Sequence, residues 1–198
     1  MIMPSLAAFI PARSGSQRVK NKNIRLLGKY PLIAYTIAQA KVAECFSSVF
    51  VSTDSPEIAE IARRYGAEVP GLRPPEYATE KSPDIEWVCH LLKLLVKEDR
   101  LTNAFSLLRP TSPFRRPETI SKAWETFKYT SGVDSLRAVE KCLQHPGKMW
   151  VIREGYLLPI LPFGNPPWHS SQYQTLPEVF VQNASLEIAW TRVALEGN

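Results

Sequence analysis

Between Leu6 and Val139, short apolar runs alternate with segments of helical period, and the best-defined runs end in polar clusters. Leu6 to Ile10 gives way to PARSGS, Val49 to Val51 to STD, and Ala104 to Leu108 to RPTSPFR. The segments between carry helix punctuation. Pro31 is placed at the first helical position of a stretch from Leu32 to about Ala43, where Leu32, Tyr35 and Ile37 recur at near-helical spacing. Ser55 reads as an N-cap, with Pro56 next, Glu57 in the first turn and Gly66 as the stop; Ile58, Ile61, Ala62 and Tyr65 form the inward face. Glu68 to Pro70 resumes an extended run. Ser82-Pro83-Asp84 opens a third helix with Ile85, Val88, Leu92 and Leu95 inward. Arg116-Pro117-Glu118 opens a fourth with Ile120, Ala123 and Phe127 inward, before a strand from Ser135 to Val139. Such alternation predicts a single α/β domain over 1–198: a mostly parallel, Rossmann-like sheet with helices on both faces and right-handed crossovers. The three polar clusters then share one rim, the carboxyl ends of the strands, where open α/β sheets bind ligands.

Charge is concentrated on that rim. The first acidic residue is Glu44, and seven cations precede it: Arg13, Arg18, Lys20, Lys22, Arg25, Lys29 and Lys41. The other 17 Lys and Arg face 19 Asp and Glu, so the net charge of +5 is the work of the N-terminal stretch. On charge alone, a solvated arm or a nucleic-acid patch fits as well as a ligand site. The loop interleaves its cations with Pro11, Ser14, Gly15, Ser16, Asn21 and Asn23, which offer N–H groups, hydroxyls and amides, and it holds no aromatic residue before Tyr30. That mixture suits a small polyanion held closely, such as a polyphosphate, better than a nucleic acid, which usually calls for stacking aromatics.

Other classes are narrowed by what the sequence lacks. Cys45, Cys89 and Cys142 are odd in number and widely spaced, fitting neither a disulfide framework nor a zinc site. MIMPSLAAFIPA has no charged leader region and runs into the first strand, and nothing approaches about 18 consecutive apolar residues. A cytoplasmic protein without a membrane span is expected. Of the 17 prolines, Pro159, Pro162, Pro166, Pro167 and Pro177 crowd the last quarter, which should be extended or looped. The basic loop matches neither the Walker A pattern nor G-x-G-x-x-G.

What the loop does carry is P-A-R-x-x-S, followed closely by K-N. This resembles the sugar-acid cytidylyltransferases, which activate N-acylneuraminate and related nonulosonates with CTP. The likeness continues in the family's order through KNIRLLGKYPLIAYTI, VFVSTDSPEIAEIARRYGAEV, LRPPEYA, LLRPTSPFR and FVQNASLEIAW. The resemblance implies a nucleotidyltransferase that joins CMP to the anomeric hydroxyl of a nine-carbon sugar acid and releases pyrophosphate, with magnesium as cofactor. It places Arg13, Gly15 and Ser16 on the triphosphate, Lys22 at the α-phosphate and leaving pyrophosphate, and Asn23 on the loop or the ribose. Arg73 and Ser82 would border the cytosine. Arg109, Thr111, Ser112, Lys148, Tyr173 and Asn183 would face the sugar acid. It also implies a homodimer, with 141–181 as a dimerisation and sugar-site extension.

The residues taken alone leave duller readings open. Thr111-Ser112-Pro113 reads as a turn, Lys148 as an exposed cation, and Asp54 as a helix-stabilising charge rather than a metal ligand. His90 is expected in solvent, and His145 either in a turn or lining the sugar site. Trp168 reads as core or as ligand platform.

Departures from the family pattern cluster on the sugar side: Gln17 for lysine, Arg109 for glutamine, Val181-Gln182-Asn183-Ala184 for an Arg-Pro-Asn-Gly run, and Tyr173 near an arginine. The family's acidic D-x-D segment has no counterpart before Asn198, which leaves the metal ligands unassigned, with the triphosphate, Asp54 or Asp84 as candidates. From that absence, CTP binding with very slow release of pyrophosphate is expected. A catalytically silent nucleotide-binding subunit is the competing reading of another class; an RNA-binding module is a third, disfavoured because the charge sits in one loop.

Overall fold

A computed structural model gives the structure of the chain and describes residues 3–16 and 19–197. Gln17 and Arg18, named above, lie outside the described residues. β1 (Leu6–Pro11) is paired in parallel with β4 (Ser48–Ser52) on one side and with β5 (Ala104–Leu107) on the other. All three strands are buried almost throughout, as their unbroken apolar runs require of parallel strands covered on both faces. β9 (Phe180–Trp190) then pairs antiparallel with β5, and β6 (Ser135–Lys141) completes the order β4-β1-β5-β9-β6. The expected α/β class with a mostly parallel sheet is the class observed. FVQNASLEIAW forms the antiparallel member, a non-local pairing that its sequence does not announce.

Among the described residues, five α-helices cover this sheet: α1 (Leu32–Val42), α2 (Pro56–Arg64), α3 (Asp84–Lys97), α4 (Pro117–Tyr129) and α5 (Thr191–Glu196). Ala7 and Phe9 join Phe50, Phe105 and the inward face of α3 (Trp87, Val88, Leu91, Leu92 and Leu95), with Ala194 of α5 closing the layer. The Phe9 ring stacks on Phe105 at 5.2 Å and meets Phe50 edge-on at 6.1 Å. Ala8 and Ile10 alternate to the other face, on the side of α1, which packs beside α2 and α4.

Helix entries are where the sequence reading and the structure differ. Ser55 caps α2 as expected, its hydroxyl accepting from the Ile58 N–H at 3.3 Å, and Gly66 ends it at φ +84. At α1, Pro31 is the cap itself rather than the first helical residue, because Tyr30 and Pro31 form β3, paired with β2 (Leu26–Leu27) in a short hairpin. The buried face is therefore Ile33, Ala34, Thr36, Ile37 and Ala40, and Tyr35 instead donates its hydroxyl to the Leu27 carbonyl. At α3, Trp87 and Leu91 are buried while Ile85 is 51% exposed. Pro83, not Ser82, is the cap, since the Ser82 hydroxyl is engaged with Thr79 and the Glu76 carbonyl. On α4, Trp124 rather than Ala123 turns inward, beside Phe127 and Trp190.

The chain forms two compact units, 1–137 with 184–198, and 138–183. The second holds an antiparallel hairpin, β7 (Trp150–Arg153) with β8 (Tyr156–Pro159), turning through Glu154 and Gly155 at φ 51 and 82. Consecutive positive φ values are what tight hairpins use to match strand twist. His145 anchors this unit. It is buried, its Nδ1 accepts from the Gly147 N–H at 2.9 Å, and Nε2 therefore carries the proton given to the Pro177 carbonyl at 3.0 Å. The ring meets Trp168 edge-on at 5.4 Å, so both residues serve the unit's interior. A Cβ on Gly147 would come within 2.8 Å of Trp168 and 2.9 Å of the His145 ring, which only glycine avoids. Among the described residues no helix is long and apolar enough to cross a membrane.

Candidate active site

The three rim clusters meet in the first unit. After β1 the backbone stays tied to its neighbour strand, the Ala12 N–H donating to the Ser52 carbonyl at 2.9 Å, and then turns outward as the basic loop. Asn21 adopts φ +54, a left-handed conformation that asparagine tolerates, and the turn around it aims Lys22 and Asn23 back inward. Asn23 is 4% exposed. It donates to the Arg13 carbonyl at 3.0 Å and accepts from the Ile33 N–H at 2.9 Å, so it fixes the loop to the start of α1.

Around this loop lies a pocket of about 220 Å³. Arg13, Ser16, Lys22 and Asn23 line it from the basic loop, Arg73 and Ser82 from the segment between α2 and α3, and Arg109 and Thr111 from the loop after β5. Tyr77, Thr79, Glu80, Asp84 and Trp87 line it too, and sequence reading did not single out Tyr77, Thr79, Glu80 or Trp87 as site residues. The signal that could have found Trp87 is its spacing from Asp84, three residues on along a helix: the indole N–H donates to the Asp84 carboxylate at 2.8 Å. Four cations against two carboxylates leave the lining positive.

Arg73 is the most constrained of the cations. It is 4% exposed, donates from Nε to the Ser52 hydroxyl at 3.0 Å and from Nη2 to the Ser52 carbonyl at 2.8 Å, and lies over the Trp87 ring at 4.9 Å. Burial pulls its guanidinium down to about 10, against the opposing charges of Asp54 and Asp84. Arg13 reaches the Ala78 carbonyl at 3.3 Å, joining the basic loop to the 75–82 segment. Arg109 is shared between Asp84 at 2.7 Å and Glu187 at 2.9 Å. Burial lowers Arg109, but hydrogen bonds and charge from the two carboxylates outweigh it and leave the guanidinium above its ordinary value. Asp84, although burial raises it, is held below the usual carboxylate range by Arg109 and the Trp87 indole.

Some expected residues are used differently. Asp54, read as a helix charge, accepts from the Ser14 N–H at 2.8 Å and the Ser14 hydroxyl at 2.5 Å, so its carboxylate braces the basic loop. The Ser16 N–H turns back to the Ser14 carbonyl at 2.8 Å, while the residue still lines the pocket. Gly15 and Ser112 are not among the lining residues; Ser112 sits in the turn, its N–H on the Arg109 carbonyl at 3.2 Å. His90, expected in solvent, is half-buried 6.1 Å from the Tyr77 ring, and burial with nearby Arg73 lowers its pKa. Lys148, Tyr173 and Asn183 belong to the second unit. There Lys148 is not a freely exposed cation: it donates to the carbonyls of His169 at 3.0 Å and of Ser171. The Tyr173 hydroxyl donates to the Leu143 carbonyl at 3.0 Å.

This donor set does not gather carboxylates for a magnesium ion. Among the described residues no three His, Cys, Asp or Glu side chains gather. The carboxylates of Asp54 and Asp84 are committed to Ser14, and to Arg109 and Trp87. The described residues, as placed, do not make a protein-built metal site.

Residues 7–144 match the cytidylyltransferase family, and the chain belongs to it. It is 48% identical over 125 residues to a CMP-N,N'-diacetyllegionaminic acid synthase of Legionella pneumophila, an alignment covering 63% of this chain and 54% of that protein. It is 42% identical over 123 residues to an N-acylneuraminate cytidylyltransferase of Escherichia coli, covering 62% and 28%. Over 189 residues, 94% of the chain and 77% of the relative, it is 31% identical to post-translational flagellin modification protein B of Campylobacter coli. The chain thus spans about half, and about a quarter, of the length of the first two relatives. Its fold is similar to that of a CMP:2-keto-3-deoxy-manno-octonic acid synthetase solved with CTP, with a TM-score of 0.72 at 14% identity, covering 98% of this chain and 77% of the other.

Proposed function

We propose that this protein transfers a cytidylyl group from CTP to the anomeric hydroxyl of a nonulosonic sugar acid, with release of pyrophosphate. The observation that carries this reading is the convergence of Arg13, Lys22, Arg73 and Arg109 on one rim pocket in a chain of the cytidylyltransferase family. Transfer at phosphorus asks a protein for positioning and neutralisation more than for covalent chemistry. Arg13 and Lys22 hold the triphosphate, and Lys22 meets the charge that builds at the α-phosphate and on the leaving pyrophosphate. Gly15 stands in the same loop beside open space, with nothing within 4 Å of where a Cβ would lie. Arg73 and Ser82 border the base. Arg109 and Thr111, with Ser112 in the same turn, serve the sugar acid, whose carboxylate suits a positive site. Magnesium belongs to this reading only as the ion a nucleoside triphosphate carries in. The test is pyrophosphate release from CTP with a panel of N-acetylneuraminic, N,N'-diacetyllegionaminic, pseudaminic and 2-keto-3-deoxy-manno-octonic acids. No release with any of them would sink the proposal.

Base selectivity should follow from the same pocket. A site that hydrogen-bonds a base edge discriminates more sharply than a greasy one, because the wrong base leaves buried polar groups unpaired. Calorimetric titration is expected to show CTP binding more tightly than ATP or GTP. Equal affinities would reduce the pocket to a polyphosphate site.

We further infer a homodimer made through 141–181. Ile152, Tyr156 and Leu157 are 73%, 72% and 64% exposed on the β7–β8 hairpin, and Trp150, Leu158 and Ile160 beside them are also exposed. So many exposed apolar side chains on one hairpin favour an association face. Light scattering at micromolar concentration should give twice the chain mass, and a monomer would refute the interface.

A further inference from the structure

RPTSPFR supplies Arg109, Pro110 and Thr111 to the pocket and ends in a side chain whose role the sequence does not disclose. Arg115 is 8% exposed, and burial alone pulls its guanidinium down to about 10. It reaches three acceptors without net charge: the Ser185 carbonyl on β9 from Nε at 2.7 Å, Gln39 Oε1 on α1 from Nη1 at 3.1 Å, and the Arg109 carbonyl from Nη2 at 3.0 Å. Gln39 completes the arrangement by donating from Nε2 to the Pro113 carbonyl at 2.5 Å. Both ends of the 109–113 loop are thereby tied to core elements through one arginine and one glutamine.

Burying a guanidinium on neutral acceptors is costly, and apolar packing would staple a turn more cheaply. What arginine adds is a planar fork whose donors leave at fixed angles, which sets position as well as attachment. The point it sets is the Arg109 backbone, and with it the Arg109 side chain between Asp84 and Glu187. We propose that Arg115 and Gln39 are positioning residues that hold Arg109 and Thr111 at the height where the acceptor sugar acid docks. The assignment of the acceptor to this loop rests on the proposed function; the clamp itself does not.

The experiment compares the wild-type chain with Gln39→Ala, Arg115→Lys and the double variant. Gln39→Ala puts the best helix former at a half-buried helical position and is expected to fold; Arg115→Lys keeps the charge and loses the fork. Misplacing a binding group by about 1 Å costs up to about 10²-fold, so the KM for the best acid of the panel should rise roughly 10–100-fold. The CTP affinity should stay within about 3-fold, because Arg13, Lys22 and Arg73 are untouched, and the two substitutions should be non-additive, as for groups in one network. Hydrogen exchange of the amides from Thr111 to Arg115 should quicken in both single variants while the rest of the sheet is unchanged. A Gln39→Ala protein with wild-type acid KM and wild-type loop exchange would overturn the proposal, and so would losses spread equally over CTP, turnover and global stability. If the wild-type chain releases no pyrophosphate with any acid, the proposed function fails, and exchange alone judges the clamp: local acceleration supports it and unaltered exchange overturns it.

Discussion

Replacing Lys22 with alanine is expected to lower turnover by about 10²–10³-fold, the usual loss when a preorganised donor is removed from charge that develops in the transition state. Lys22 lines the rim pocket from a loop that Asn23 and Asp54 hold from two sides, so its amine can be delivered at a defined place rather than as part of a mobile arm. The loss should fall mainly on kcat, because the ground-state triphosphate keeps Arg13. Steady-state kinetics on the folded variant decide it. Turnover equal to wild type would remove Lys22 from the chemistry.

Arg73 should serve both binding and stability. Its guanidinium is buried and stacked on Trp87, and burial lowers it to about 10, so the fold bears a desolvation cost to keep a cation there. Replacing a whole buried charged pair by apolar groups is often neutral for stability, but removing one partner leaves the other unsatisfied and is destabilising. Arg73→Met strips the buried Ser52 hydroxyl of its donor and is therefore expected to lose about 1–3 kcal/mol of stability in urea. A lost charged hydrogen bond of about 1.5–3 kcal/mol would weaken CTP binding by roughly 10–150-fold. Calorimetry and urea titration on one preparation give both numbers. Unchanged CTP affinity would make Arg73 a purely structural residue.

What the sequence discloses is chemistry that acts over a few residues. Ser55-Pro56-Glu57 with Gly66 states both ends of α2, because capping is settled within one turn. The three rim clusters were legible for the same reason: each follows a short apolar run. Faces were less so. Ile85 and Leu32 fit the helical period, yet Ile85 is exposed and Leu32 only partly buried, because each stands in the first turn of its helix, at the end of the packed face. Neither the antiparallel entry of β9 nor the tie from Asp54 to Ser14 has a local signal, because each depends on residues far apart in the chain. Arg115 was the hardest to see: in sequence it is one more cation in a loop, and only the packed structure shows it buried on Ser185, Gln39 and Arg109.

The path of the chain between its two units has an evolutionary consequence. It leaves the sheet through β6 and returns through β9, and these strands are neighbours. An excursion whose ends already lie side by side closes at an entropic cost that grows only slowly with length. Residues 138–183 are thus free to be lengthened, shortened or rewritten without unpairing β4, β1 and β5, whose ends carry the pocket. Inherited variation can accumulate there while the strand ends that carry the rim pocket are passed on.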